Sequence, residues 1–326
     1  MNATDRETIL AWTQAATREA RLVFHPSDAP QAREMQKFLD ELSGLAPEVT
    51  VKREDPGMAP APSIRLGNNL YFQTVPSGLE LAPFLAALSG EAPALPGPVA
   101  KKLATLPAPA WFTVFVMPGC PHCPRAVLAL LSLALESPRV RVTVVDGLLF
   151  PEKAAAFSVK SAPTVFLDGG GFSWTGAVDP GELAAVAADR DPALLGPDSL
   201  KAMTGEGEAE KLARLMADAG KFFPAFLDIA AHPLWSVRLG AMAAFEHLAA
   251  LAPDLAAAAG DLLWERFLAT DDTQAQGDLL YLLGQTGRAD LIPRLEQIRD
   301  LSSRSAEVRE AAADALEELA AARTLH

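Results

Sequence analysis

At 326 residues, half of them hydrophobic, the chain is too long for one ordinary core and reads as two or three domains. Its 28 basic and 41 acidic side chains give a formal net charge of −13 with no block of Lys and Arg, which argues against a nucleic-acid partner. No apolar run reaches the roughly 18 residues that span a bilayer, and Met1 to Glu7 lacks the basic-then-apolar order of a secretory leader. The expected setting is therefore the cytoplasm, with no membrane partner.

The first helix is expected over residues 5–20, where Ile9, Leu10, Trp12, Ala15 and Ala16 form an apolar stripe. Arg21 to His25 reads as a short strand. A turn at Pro26-Ser27-Asp28-Ala29-Pro30 leads to a helix over 31–45, with Met35, Phe38, Leu39 and Leu42 at helical spacing. Strands are expected at 49–52, 63–66 and 70–73, the last two joined by an Asn68-Asn69 hairpin turn, and a helix at 79–88 closes the unit. The order is α-β-α-β-β-β-α.

Residues 90–110 hold five prolines and a short helical stretch near 99–104. The same order then recurs: strand 111–117, helix 120–135, strand 140–145, a helical turn at 151–157, strands 164–168 and 172–175 around Gly169-Gly170-Gly171, and helix 180–188. This is an internal duplication at a spacing of about 90 residues.

From about Asp191 the chain is helical throughout. Segments starting at Val237, Ala275 and Val308 can be laid over one another at offsets of 38 and 33 residues. Each follows another amphipathic helix, at 222–231, 255–268 and 291–301. Helix pairs at this period stack as a solenoid, because one pair alone cannot bury its apolar face. The pattern resembles HEAT-like repeats. The expected domains are 1–92, 93–192 and 193–326.

Both cysteines of the chain lie in Cys120-Pro121-His122-Cys123, between the 111–117 strand and the helix that follows. A sulfur at a helix N-cap sits near unsatisfied N–H groups, and the partial positive charge there favours thiolate. Cys120 is expected at that N-cap as the attacking sulfur, with Cys123 one turn inward as the resolving one. His122 adds positive charge or a hydrogen bond. Pro121 suits the first helical position, where no N–H is needed, whereas Pro124 is expected to tighten or kink the first turn. Zinc wants about four ligands and none lie nearby. Covalent haem attachment wants a His directly after the second Cys, where Pro124 stands. An inert buried pair is the remaining alternative, and the strand-to-helix context favours the redox reading.

Pro163, in Ser161-Ala162-Pro163-Thr164, opens the strand expected beside the dithiol helix. It is a candidate for a cis peptide, and it leaves the backbone of Ala162 free to pair with an extended substrate segment. An ordinary strand-initiating proline is the alternative. His25, His232, His247 and His326 are scattered and read as surface or satisfied core residues. Trp111 reads as packing, and Arg125 as an exposed helix charge that could meet an acidic partner.

Residues 111–190 resemble thioredoxin-fold oxidoreductases through Cys120-Pro121-His122-Cys123-Pro124, Val144-Val145-Asp146-Gly147, Phe150-Pro151-Glu152 and Ala162-Pro163-Thr164 through Gly169. With residues 5–90 they resemble the tandem thioredoxin-fold unit of protein disulfide oxidoreductases, and most of all the N-terminal module of the alkyl hydroperoxide reductase flavoprotein. In that family the first fold lacks cysteines. Here Ser27-Asp28-Ala29-Pro30 stands where the pair would fall, and Ala61-Pro62-Ser63 keeps a proline at the matching loop.

The resemblance implies two tandem thioredoxin folds, α/β, ahead of the all-α solenoid. It implies a dithiol–disulfide oxidoreductase with Cys120, Cys123 and His122 catalytic, a Cys120–Cys123 redox disulfide, and Pro163, Ala162 and Pro121 binding substrate. The expected partners are a protein disulfide or peroxiredoxin-like client and a separate flavoprotein or dithiol electron donor. The helical repeats would recruit the client, or the chain would instead be a redox-sensing adaptor in which that binding is primary. No cofactor or metal is expected, since no Gly-X-Gly-X-X-Gly turn follows residue 190 and Thr204-Gly205-Glu206-Gly207 lacks its strand. The Pro-His dipeptide resembles strongly oxidising periplasmic thiol oxidases. Val114 is apolar where thioredoxin has a buried acid, which leaves the base for Cys123 unassigned.

Overall fold

The computed structural model describes residues 1–15 and 19–324, with side chains to residue 321. Two compact units are present, Met1–Arg190 and Asp191–His326.

The first unit is α/β, and its elements fall close to their expected places. They are α1 (Ala3–Ala15), β1 (Ala20–His25), α2 (Gln31–Leu45), β2 (Val49–Arg53), β3 (Ser63–Leu66), β4 (Leu70–Gln73) and α3 (Leu81–Ser89). After α4 (Gly97–Ala104) the pattern repeats as β5 (Ala110–Val116), α5 (Cys123–Glu136), β6 (Val140–Asp146), α6 (Pro151–Ala156), β7 (Thr164–Leu167), β8 (Phe172–Thr175) and α7 (Pro180–Asp189). On α2 the expected stripe Met35, Phe38, Leu39 and Leu42 is buried. On α1 the stripe is narrower: Ile9 is buried, Leu10 faces solvent, and Ala16 lies outside the described residues.

The eight strands form one sheet in the order β2-β1-β3-β4-β6-β5-β7-β8. Each half contributes four strands with the same pattern of one parallel and two antiparallel pairings. The halves join where β4 pairs in parallel with β6, Leu70 to Gln73 against Val142 to Val145. Asn69 pins this seam. Its side-chain amide donates to the carbonyls of Ala134 and Val140 at 2.7 and 2.8 Å, and its own carbonyl accepts from Val142 N–H at 2.8 Å. Trp111 stacks on Tyr71 across the seam, with ring centroids 5.6 Å apart, and its indole donates to Thr143 Oγ1 at 2.9 Å. Its role is packing, as expected. Both halves keep a cis X-Pro bond at the matching loop, Ala61–Pro62 and Ala162–Pro163.

The second unit is all helix: α8 (Pro197–Gly205), α9 (Ala209–Ala219), α10 (Phe226–Ala230), α11 (Trp235–Leu251), α12 (Pro253–Ala258), α13 (Gly260–Leu268), α14 (Thr273–Gln285), α15 (Ile292–Asp300) and α16 (Ala306–Thr324). The three superposable segments are α11, α14 and the long last helix α16. The helix expected over 255–268 is divided near Ala259 into α12 and α13. Thr204 and Gly205 end α8, and Gly207 takes φ +78° in the turn to α9.

Close helix contact depends on small residues. A Cβ on Gly284 of α14 would stand 3.1 Å from Ala315 Cα of α16. Arg238, almost wholly buried on α11, reaches Asp278 of α14 with Nε–Oδ2 at 2.6 Å and gives further hydrogen bonds to the carbonyls of His232 and Pro233. Salt bridges from Arg266 to Asp228, and from Arg288 and Arg294 to Asp261, tie further helices together.

Candidate functional site

The dithiol stands at the C-terminal end of β5, a strand buried along nearly its whole length by Ala110, Trp111, Phe112, Val114, Phe115 and Val116. A turn then brings the chain back: Cys120 N–H donates to Met117 carbonyl at 3.1 Å, and Gly119 takes φ +76°, a conformation that suits glycine. The helix α5 starts at Cys123, where Ala126, Val127, Leu130, Leu131, Leu133 and Ala134 bury one face.

This start differs from the sequence reading in three ways. The N-cap is His122, in a helical conformation and with no side-chain cap bond, so Cys120 lies in the turn before the helix. Pro121 likewise precedes the helix. Pro124 falls in its first turn, where a missing N–H costs nothing, so the expected kink is absent and the proline favours the helix start. The reason is local: two prolines three residues apart fit one helix only if the second occupies the first turn.

The two sulfurs occupy different surroundings. Cys120 is 5% exposed and its thiol donates to the Ala162 carbonyl at 3.6 Å, next to Pro163. Cys123 is 0% exposed. Burial pushes its thiol up to about 12, helped by hydrogen bonding with Cys120 and by the charges of Cys120 and Glu80, while the Met117 backbone opposes the rise. His122, Pro121 and Arg125 are exposed. The structure thus brings Cys120, Cys123, Ala162 and Pro163 together and leaves Pro121 and His122 on the surface beside them.

One residue escaped the sequence reading. Glu80, in a 3₁₀ turn (Gly78–Glu80) of the cysteine-free half, is buried and has one carboxylate oxygen without a hydrogen-bond partner. Burial, with the Asp146 charge second, raises its pKa to about 7, and its charge acts on Cys123. Asp146, at the end of β6, is also buried. Burial raises its pKa as well, against hydrogen bonds from the N–H groups of Leu148 and Leu149 to Oδ1 at 2.8 and 3.1 Å. The signal in the sequence was faint: Glu80 is the sole acidic residue between Asp55 and Glu91, beside an apolar helix. Val114 is fully buried and apolar, so the acid near the dithiol comes from the other half of the sheet.

The scattered histidines carry no site. His25 is buried and its Nε2 accepts from Arg65 Nε at 3.2 Å, His232 Nδ1 accepts from Leu234 N–H at 3.1 Å, and His247 is exposed. His326 lies outside the described residues.

Comparison with known proteins agrees with this geometry. Residues 111–187 match the family model of a thioredoxin domain. The chain is 26% identical over 177 residues to the F component of alkyl hydroperoxide reductase from Pseudomonas aeruginosa, covering 52% of this chain and 34% of that protein. It is 26% identical over 176 residues to an NADH dehydrogenase of Ferdinandcohnia aciditolerans, covering 49% of this chain and 34% of that one. It thus spans about a third of the length of these curated relatives. Among solved structures, the NTD_N/C domain of alkylhydroperoxide reductase AhpF from Enterococcus faecalis is similar at a TM-score of 0.50 and 23% identity, over 58% of this chain and 100% of that one. A protein disulfide oxidoreductase from Aeropyrum pernix is similar at a TM-score of 0.51 and 14% identity, over 57% and 92%. These likenesses show that the α/β unit has a thioredoxin-type fold, followed here by a helical region.

Proposed function

We propose that the chain is a dithiol–disulfide oxidoreductase in which Cys120 attacks and Cys123 resolves. The observation that carries this reading is the asymmetry of the pair: one sulfur at the margin of the core against the Ala162 carbonyl, the other wholly buried with its proton held. In the first step the Cys120 thiolate attacks one sulfur of a client disulfide. A mixed disulfide forms, and the other client sulfur leaves as thiolate and takes up a proton. In the second step Cys123 loses its proton and attacks Cys120, which releases the second client thiol. Two electrons pass from the dithiol to the client, and the Cys120–Cys123 disulfide remains for a donor to reduce.

A thiol as high as Cys123 does not ionise unaided near neutrality. Glu80 has a carboxylate poised near neutral pH beside it and is the natural acceptor of that proton. His122 adds a cationic neighbour at the start of α5. Ala162, Pro163 and Pro121 offer the backbone edge on which an extended client segment lies.

The relatives' printed name supports a peroxide-linked setting, with a peroxiredoxin-like client and a separate flavoprotein or dithiol as donor. Among the described residues no helix is long and apolar enough to cross a membrane, which fits the reading of a cytoplasmic protein. The repeated helix pairs of 193–326 support a HEAT-like domain that recruits the client, placed after two thioredoxin-like domains at 1–92 and 93–192.

The test is trapping. Cys123→Ser should hold a client on Cys120 as a stable mixed disulfide, and Cys120→Ser should hold none; the reverse pattern would exchange the two roles. A redox-sensing adaptor is the second reading, favoured by the extent of the helical unit. Turnover of a small disulfide by residues 1–190 alone supports the enzyme, whereas tight complexes without turnover support the adaptor.

A further inference from the structure

Beside the dithiol lies a cavity of 240 Å³ whose walls include Met117, Leu148, Val159, Lys160 and Ala162. We propose that it selects client segments with an apolar residue next to the half-cystine and an acidic residue within two positions of it, Lys160 being the charge partner. The proposal rests on the oxidoreductase reading above and adds the class of client that the site takes.

The apolar part follows from exposure. Leu148 is 66% exposed and Met117 43% exposed, both on the cavity wall. Large apolar side chains held together in water at a concave surface mark a place where another apolar group settles. A buried client side chain of leucine size would contribute about 1.5–3 kcal/mol if fully covered.

The charge part follows from composition. Lys160 is the single charged residue among those lining the cavity, on a chain whose net charge is −13. It forms no ion pair with any described residue. At physiological salt the screening length is about 8 Å, so a client segment at the cavity responds to Lys160 more than to the distant acidic surface.

The spacing ties both parts to the sulfur. Ala162 is a wall of the cavity and its carbonyl is the partner of the Cys120 thiol. Lys160 stands two residues before it, and two residues of chain reach at most about 7 Å. A client sulfur meeting Cys120 therefore brings residues within about two positions of itself into reach of the Lys160 ammonium.

The test uses the full-length chain, fully reduced beforehand, in single turnovers with symmetric peptide disulfides. Each peptide carries the core X-Ala-Cys-Leu-X, with X as Glu, Gln or Lys, and a Glu peptide with Ser in place of Leu completes the set. The dithiol gives two electrons to each peptide disulfide and yields two peptide thiols, which are counted. The expected second-order rates fall in the order Glu, Gln, Lys, by roughly three- to fivefold per step, and the steps shrink as salt rises. Lys160→Glu should reverse the order, and Leu148→Ser should slow the Leu peptide several-fold more than the Ser peptide. Equal rates for the three charges, or the same order in Lys160→Glu, overturns the proposal while leaving the enzyme reading intact. Failure of the wild-type chain to reduce any of the peptides overturns the enzyme reading and this proposal with it.

Discussion

Glu80 and Cys123 come from different halves of the duplicated α/β unit, yet the charge of the first helps keep the proton on the second. A cysteine-free fold thus contributes a titratable group to the dithiol of its neighbour. The parallel pairing of β4 with β6 is what makes this possible, since it fixes both halves in one sheet.

Glu80→Gln is expected to remove an inflection near pH 7 from the rate of the resolving step and to slow that step above it. The wild-type rate should rise as pH passes about 7, when the carboxylate becomes able to accept the Cys123 proton. Stopped-flow measurement of client-thiol release against pH checks this. A Gln variant that keeps the inflection would place the base elsewhere.

The same residue predicts a stability trend. Its folded-state pKa of about 7 lies above its ordinary 4.5, so the fold favours the protonated acid. The stability it allows is complete below about pH 4.5 and is lost as pH rises through 7, with an upper bound of about 3 kcal/mol. Relative to wild type, Glu80→Gln should gain stability progressively over that window in urea melts, and a variant without that gain would contradict the assigned burial.

Alkylation should separate the two thiols. With the reduced chain at pH 8, iodoacetamide is expected to modify Cys120 first and to leave Cys123 largely unmodified, because the buried thiol holds its proton up to about 12. Peptide mapping by mass spectrometry reads the order, and faster labelling of Cys123 would reverse the roles.

In the helical unit, Asp278→Ala should cost about 3 kcal/mol, because it strands the buried Arg238 guanidinium. Arg238→Met should cost less, since it removes the charge along with its partner. Chemical denaturation of the two variants checks the ranking.

Gly284→Ala sets two effects against each other. Alanine gains up to about 1 kcal/mol in helix propensity, but its Cβ would meet Ala315 Cα at 3.1 Å, a backbone atom that cannot swing aside. Overpacking of that kind costs about 1–3 kcal/mol, so the net effect is destabilising, with a lower thermal midpoint as the readout.

Local features of this protein could be read from its residues without coordinates. The helix over 31–45 matched α2 end to end, because the spacing of Met35, Phe38, Leu39 and Leu42 is a property of one segment. The duplicated order, the Cys120–Cys123 pair and the two X-Pro loops were legible for the same reason. Relationships between distant segments emerged with the folded chain: the single sheet closed by β4 and β6, the acid Glu80 beside Cys123, and Lys160 on the wall that Ala162 shares. The start of α5 at Cys123 instead of Cys120 belongs with them, since the Gly119 turn and the burial of α5 set that start together. Periodicity and spacing reveal which face of an element is apolar. Which other element covers that face, and which charges are drawn into the core with it, depends on contacts that no local pattern encodes.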